Sequence, residues 1–280
     1  FGFSFDNLKL DYSSAVKRSR QVSNRLTKGV DFLMRKNQID VHMGVARLVA
    51  GDTVLVTSGD GKTSKLDTKN VIIATGAYSV NLPGVEPDGE HILTYLDAIL
   101  QERLPESAII IGAGAIGVEF ATIWHSYGVP VTIVEMLPRL VPLEDEEVGN
   151  ELGKVFTRRG IKFLIGYRVE NIEKGAKSVR VKVSSQEREQ ILEAEQALVA
   201  IGFKPNSRDL GLEELGVKLS ERGFIEINNR MATSVPGIWA IGDVTGKLML
   251  AHVASAQGMV CAEAIAGLET TTLNYEMMPR

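Results

Sequence analysis

The chain has 280 residues, 44% hydrophobic and 24% charged, an ordinary globular composition at a length that exceeds one core, so two domains or parts of three are expected. With 31 Lys plus Arg against 35 Asp plus Glu, the net charge of -4 provides no field to attract nucleic acid or an anionic membrane surface. No apolar run has the length of a membrane span and the first residues lack a secretory signal, so neither nucleic acid nor membrane is an expected partner and a cytoplasmic location is expected.

The opening segment LDYSSAVKRSRQVSNRLTKGVDFLMRKN has helical period, with Val16, Val22, Leu26, Val30, Leu33 and Met34 forming an apolar stripe between basic positions. IDVHMGVARLVAG and DTVLVTSGDGK alternate polar and apolar residues around Gly and Asp, which predicts an antiparallel meander. KNVIIATGAYSVNLPG then reads as a short buried strand, a Thr-Gly turn and a Pro-Gly exit.

From LPESAIIIGAG the pattern becomes strand, glycine turn, helix and strand, a βαβ unit whose helix IGVEFATIWHSYG is stopped by Gly128 and Pro130. EDEEVGNELGKVFTRRG follows as a second helix, with acids at its start and arginines at its end as the helix dipole favours, so its acid cluster is a helix start and no metal site is expected. IKFLIGYRVENIEK, SVRVKVSS and EAEQALVAIG read as strands and FKPNSRD as a linker. GFIEINNRMATSVPGIWAIGDVTG reads as strands ending on a Gly-Asp turn, and a long helix follows LMLAHVASAQG. In that helix Cys261, the sole cysteine, has the small apolar neighbours of a buried structural thiol, and alone it supports neither an intrachain disulfide nor a zinc cluster.

The first chemical signal is GAGAIG. Gly112 permits a tight turn, Gly114 leaves the backbone bare for a pyrophosphate at the helix N-terminus, and Gly117 lets the helix approach the strand. Glu135 ends the next strand, 23 residues after Gly112, where a carboxylate accepts from the ribose hydroxyls of NAD and repels the 2′-phosphate of NADP. Arg139, four residues on, works against that preference. Glu119 adds negative charge beside the expected pyrophosphate site and therefore calls for another partner, which spacing alone does not name.

GIWAIGDVTG is the second signal. A short strand ending in Gly242-Asp243 before a helix offers a carboxylate to a sugar or ribityl hydroxyl, and with VIIATGA it suggests two glycine-ended strands flanking one cofactor. None of His42, His91, His125 or His252 has an acid four or five residues ahead of it, so no local His-Glu base is expected.

The ordered set ATG, GAGAIGVEF with VEM, AIGF with PN, GIWAIGDVTG and LMLAH resembles the flavin-dependent pyridine nucleotide–disulfide oxidoreductases, and within them the dihydrolipoamide dehydrogenase branch. The resemblance implies an α/β fold of two Rossmann-like domains with β-meanders, the NAD domain inserted into the FAD domain. It divides the chain at residues 1–85 (FAD domain), 86–206 (NAD domain), 207–270 (return to the FAD domain) and 271–280 (start of a dimerisation domain). It implies FAD contacts at Gly44, Thr75, Gly76, Ala77, Asp243, Met249, Leu250, Ala251 and His252. NAD contacts are implied at Gly112, Ala113, Gly114, Ala115, Ile116, Gly117, Val118, Glu119, Glu135, Val169 and Gly202, with Glu119 also pairing with a lysine behind the flavin.

The family's first GxGxxG, its redox-active cysteine pair and its His-Glu base are not in this sequence, so the chain is expected to be an internal fragment with no catalytic residues of its own and little activity alone. The parent is expected to be a homodimer that acts on lipoyl groups of a 2-oxoacid dehydrogenase or glycine cleavage complex. Two other expectations stand beside this one: a mercuric or glutathione-type flavin disulfide reductase, and an isolated NAD-binding module without turnover.

Overall fold

The computed structural model describes residue 2, residues 6–186 and residues 188–279. In chain order it forms α1 (Tyr12–Lys36), β1 (Val45–Ala50), β2 (Thr53–Thr57), β3 (Thr63–Asp67), β4 (Val71–Ile73), β5 (Ala77–Ser79), β6 (Ile92–Leu93) and α2 (Tyr95–Leu100). Next come β7 (Ala108–Ile111), α3 (Ala115–Ser126), β8 (Val131–Glu135), α4 (Glu146–Arg159), β9 (Lys162–Ile165), β10 (Arg168–Lys174), β11 (Val179–Ser184) and β12 (Glu189–Ala194). The chain closes with β13 (Gln196–Val199), β14 (Phe203–Pro205), β15 (Ile238–Ala240) and α5 (Ala251–Ile265). Among the described residues no helix is long and apolar enough to cross a membrane.

Two compact units result, residues 1–33 with 79–202, and residues 34–78 with 203–280, so the middle of the chain is inserted between two segments of the second unit. The first unit is built on a parallel five-stranded sheet in the order β6-β13-β7-β8-β9. Its direction of winding reverses beside β7, the place where open α/β sheets bind ligands at their carboxyl edge.

AIII of β7 is wholly buried because both faces of this sheet are covered. Ala108 and Ile110 face a core that contains Phe120 and Trp124 of α3 and Phe156 of α4. Ile109 and Ile111 face the opposite way, into a cluster with Val179, Val181 and Val183 from the antiparallel sheet β10-β11-β12. Each such fully buried aliphatic side chain contributes about 1.5–3 kcal/mol. The segment EAEQALVAIG is therefore two strands: β12 belongs to the meander, and after a bend at Glu195 β13 enters the parallel sheet.

α4 forms where its charges predict. Asp145 caps it by accepting from Glu147 N–H at 2.8 Å, Arg158 and Arg159 occupy the last turn, and Gly160 ends it in a left-handed conformation at φ 85°. α1 also forms, with Tyr12 edge-on to Tyr127 at 5.2 Å and Val16 buried. Most of its expected stripe behaves differently: Val22, Leu26, Val30 and Leu33 are exposed, and Met34 is half-buried. Periodicity marks the helix, but it does not say what covers its face.

The second unit contains the predicted meander β1-β2-β3 and the parallel pair of β4 with β15. Ile73, Ile238 and Ala240 from that pair pack with Leu48, Leu212, Val217, Ile225 and Val244. GFIEINNRMATSVPGIWAIGDVTG, expected as strands, holds one regular strand, β15; the residues before it form turns with isolated bridges at Leu219–Ile225 and Ala232–Trp239. Asn228 explains the difference, since its side chain accepts from Arg230 N–H and Ala232 N–H and so closes a turn in place of a strand ladder. The final residues, up to 279, are held by hydrogen bonds to α5, while Arg280 lies outside the described residues.

Candidate functional site

On the first unit the three glycines of GAGAIG have different physical reasons. Gly112 leaves β7 at φ 103°, and a Cβ there would collide with the Ala200 carbonyl at the end of β13. A Cβ on Gly117 would collide with the Gly112 carbonyl, so this glycine sets the close approach of α3 to the turn. Gly114 is unlike both: its φ of −69° suits any residue, and apart from its chain neighbours no atom of a described residue lies within 4 Å of the place its Cβ would take. Nothing among the described residues requires glycine there. What it leaves is open space at the N-terminus of α3, where no side chain caps the helix and the first-turn N–H groups keep their capacity to donate to an anion.

Glu135 ends β8 beside that turn. Only 9% exposed, it accepts from Ala113 N–H at 2.7 Å through one oxygen and from Leu137 N–H at 2.8 Å through the other. A carboxylate oxygen accepts more than one hydrogen bond, so Glu135 can hold the glycine turn and still accept from a hydroxyl. Arg139 is committed elsewhere, donating to the carbonyls of Pro142 at 3.1 Å and Glu144 at 3.4 Å. Its guanidinium is thus tied to the approach to α4.

Among the other residues expected at this site, Ala113 is fully buried and Ala115, Ile116 and Val118 follow it in the first turn of α3. Glu119 is exposed in the second turn and no partner meets it among the described residues. Gly202 follows β13 at φ 123° and its carbonyl accepts from Val80 N–H at 2.9 Å. Val169 lies at a bulge in β10 and packs in the cluster that contains Val134.

On the second unit, β4 and β15 run parallel with Ile73 opposite Ala240, and Ile241 N–H donates to the Ile73 carbonyl at 3.0 Å. The Thr-Gly and Gly-Asp turns, about 170 residues apart in the chain, consequently leave the sheet side by side, as two glycine-ended strands flanking one ligand must. Between them lies a cleft of about 310 Å³, lined in part by Gly76, Asp243, Met249 and Ala251. Burial raises the Asp243 carboxyl above its ordinary pKa, and no hydrogen bond from a described residue reaches its side chain. A half-buried carboxylate with no protein donor suits a ligand hydroxyl.

Thr75, Ala77, Leu250 and His252 adjoin the lining residues in sequence; Leu250 is the N-cap of α5, and His252 Nε2 donates to the Pro279 carbonyl at 3.0 Å. Gly44 lies just ahead of β1, where a Cβ would collide with the Thr57 carbonyl, so the meander itself demands glycine there.

Two supporting residues lie outside the sequence motifs. Asn206 accepts from Thr75 Oγ1 through its carbonyl at 2.6 Å and donates from Nδ2 to the Thr75 carbonyl at 3.0 Å, clamping the ATG turn. Gln257 accepts from Gly242 N–H at 2.6 Å. For Gln257 a signal existed, a lone amide in the apolar run of α5; for Asn206 none did.

Residues 5–258 match the family described as pyridine nucleotide-disulphide oxidoreductase. The dihydrolipoyl dehydrogenase of Mycobacterium leprae is 47% identical over 284 residues, which take in 100% of this chain and 60% of that protein. The crystal structure of LpdA from Mycobacterium tuberculosis superposes with a TM-score of 0.89 at 28% identity, over 96% of this chain and 59% of that one. The HOCl-induced flavoprotein disulfide reductase RclA from Escherichia coli gives a TM-score of 0.82 at 26% identity, over 94% and 59%. The chain thus spans about 60% of the length of these relatives.

Proposed function

The chain belongs to the pyridine nucleotide-disulphide oxidoreductases, and from that premise we propose that it is the part of a dihydrolipoyl dehydrogenase that binds NAD on its parallel-sheet unit and contributes to an FAD site on the other. The reading assigns to the whole enzyme the oxidation of dihydrolipoamide to lipoamide with reduction of NAD+ to NADH. It goes with a cytoplasmic homodimer serving lipoyl groups of a 2-oxoacid dehydrogenase or glycine cleavage complex. When bound, FAD and NAD supply the electron and hydride acceptors. This chain's residues hold and orient them.

The α3 N-terminus at Gly114 takes the NAD pyrophosphate, and Glu135 accepts from the adenosine ribose while keeping the glycine turn closed. Val169 and Gly202 complete the NAD contacts in this reading. Asp243 accepts from a ribityl hydroxyl of FAD, with the backbone of residues 249–252 against the flavin and the ATG turn on the facing side of the cleft. Residues 1–85 and 207–270 form the FAD-domain segments in this proposal, residues 86–206 the NAD domain, and residues 271–280 the beginning of a dimerisation domain.

The observation that carries the reading is the open space at Gly114, which no described residue fills. Fluorescence titration with NADH tests it. The Gly114→Val variant is expected to lose binding at least about tenfold while its stability changes by under about 1 kcal/mol, the range of an altered cap. Equal NADH affinity in the two proteins would overturn the reading. The likeness to RclA keeps another flavin disulfide reductase in view, but 47% identity to a dihydrolipoyl dehydrogenase against 26% favours the first assignment.

A further inference from the structure

We propose that Gln257 is the positioning residue of the Gly242-Asp243 turn and that Tyr275 anchors it, so that residues 273–279 form a strap over α5 that keeps the cleft in shape. The flavin identity of the ligand rests on the function proposed above; the strap itself does not.

Gln257 is 1% exposed, and both ends of its amide are used. Oε1 accepts from Gly242 N–H at 2.6 Å, and Nε2 donates to the Tyr275 hydroxyl at 3.0 Å. A flipped amide would set its NH2 against the Gly242 N–H, donor to donor, and would face Tyr275 with the carbonyl. The Gly242 N–H therefore selects the orientation of the amide, and the Tyr275 hydroxyl, by accepting from Nε2, holds it there. Gly242 is also gripped at its other end, where its carbonyl accepts from Thr245 Oγ1 at 2.8 Å. Asp243 is the next residue, so movement of Gly242 moves the carboxylate that lines the cleft.

The strap has anchors on both sides of Tyr275. Leu273 packs against the cluster of Met231, Val260 and Cys261, and the Pro279 carbonyl accepts from His252 Nε2 at 3.0 Å. Asn274 accepts from Glu276 N–H at 3.0 Å and closes the turn that carries Tyr275. Tyr275 itself is not among the residues that line the cleft. Its hydrogen bond to Gln257 is what links it to the turn.

The test uses the 280-residue chain with Tyr275→Phe, Gln257→Leu and Gln257→Glu, after circular dichroism has shown each to be folded. Amide exchange at Gly242 reads the turn directly, and titration with FAD, followed by flavin fluorescence, reads the cleft. Tyr275→Phe is expected to speed Gly242 exchange and weaken FAD binding by about fivefold to tenfold, the loss of one part-buried hydrogen bond. Gln257→Leu is expected to do more, since it leaves the Gly242 N–H without an acceptor. Gln257→Glu is expected to keep both properties with Tyr275 now donating, and to lose them when combined with Tyr275→Phe.

Unchanged Gly242 exchange in both Tyr275→Phe and Gln257→Leu would overturn the strap. So would faster exchange with unaltered FAD affinity. If the unsubstituted chain takes up no FAD while Tyr275→Phe still quickens Gly242 exchange, the strap is supported and the flavin reading of the cleft fails.

Discussion

The carboxylate of Glu135, at the end of β8, accepts the backbone N–H of Ala113 at 2.7 Å, so the residue proposed to choose between ribose and phosphate also ties down the glycine turn. Ala113 is fully buried, and Glu135→Ala leaves its N–H without that acceptor. The expected cost is about 2 kcal/mol, read from the midpoint of urea unfolding, together with weaker NADH binding. Glu135→Gln keeps a single carbonyl oxygen for two N–H groups and should lose about half as much. If Glu135→Ala unfolds at the same urea concentration as the parent, the bond to Ala113 contributes nothing to the turn.

Asp88 gives the first unit an acid-sensitive joint. Burial pushes its carboxyl up, but Lys174 and the N–H groups of Ile92, Glu90 and His91 outweigh that and hold it well below the usual carboxylate range. Because the folded pKa is depressed, the unfolded chain binds more protons at low pH. The stabilisation is present above the unfolded value of about 3.9 and is lost as pH falls through it toward the folded value. Asp88→Asn should cost about 1–2 kcal/mol at pH 7, and the gap should narrow by pH 3 in parallel urea titrations. A gap of constant size across that range would show that the ion pair with Lys174 does not carry the effect.

Asp243 has the opposite sign. Burial raises its folded pKa, so its contribution is most favourable below the unfolded value and is lost as pH rises through the folded one. At neutral pH the ionised carboxylate is a cost that the ligand-free chain bears. Asp243→Asn should therefore stabilise the ligand-free chain, on the order of 0.5 kcal/mol at pH 7 and less at pH 4, while weakening FAD. Thermal melts with and without FAD distinguish this from a structural role, which would make the variant less stable in both.

The parts of this molecule that were legible in the sequence are those in which local pattern and tertiary demand agree. AIIIGAGAIG could be read because a strand buried on both faces is apolar throughout, and because the glycine turn and Glu135 follow at fixed spacing. The joining of the ATG and Gly-Asp turns was readable as a possibility, and the parallel pairing of β4 with β15 brings the two together. Asn206 was illegible because its meaning lies in Thr75, 131 residues away. The α1 stripe was legible as a helix and silent about its surroundings, since Leu26 and Val30 carry the same period whether covered or exposed. GFIEINNR misled because β-branched residues favour strands only when no side chain closes a turn first, and Asn228 does so.

Gly117 supplies a counterpart to Gly114. An added methyl group at Gly117 meets the Gly112 carbonyl at far less than contact distance and the Ile110 Cγ2 at 3.4 Å, so α3 must move away from β7 to admit it. Backbone shifts of this kind cost about 3 kcal/mol, and they also carry the α3 N-terminus away from the end of the sheet. Gly117→Ala should then lower both the melting temperature and NADH affinity, whereas Gly114→Val lowers affinity with little change in melting. Melting curves and NADH titrations on the two variants separate a glycine demanded by packing from one demanded by a ligand. Equal melting temperatures for the two would mean that the approach of α3 to the turn is looser than the Gly112–Gly117 contact implies.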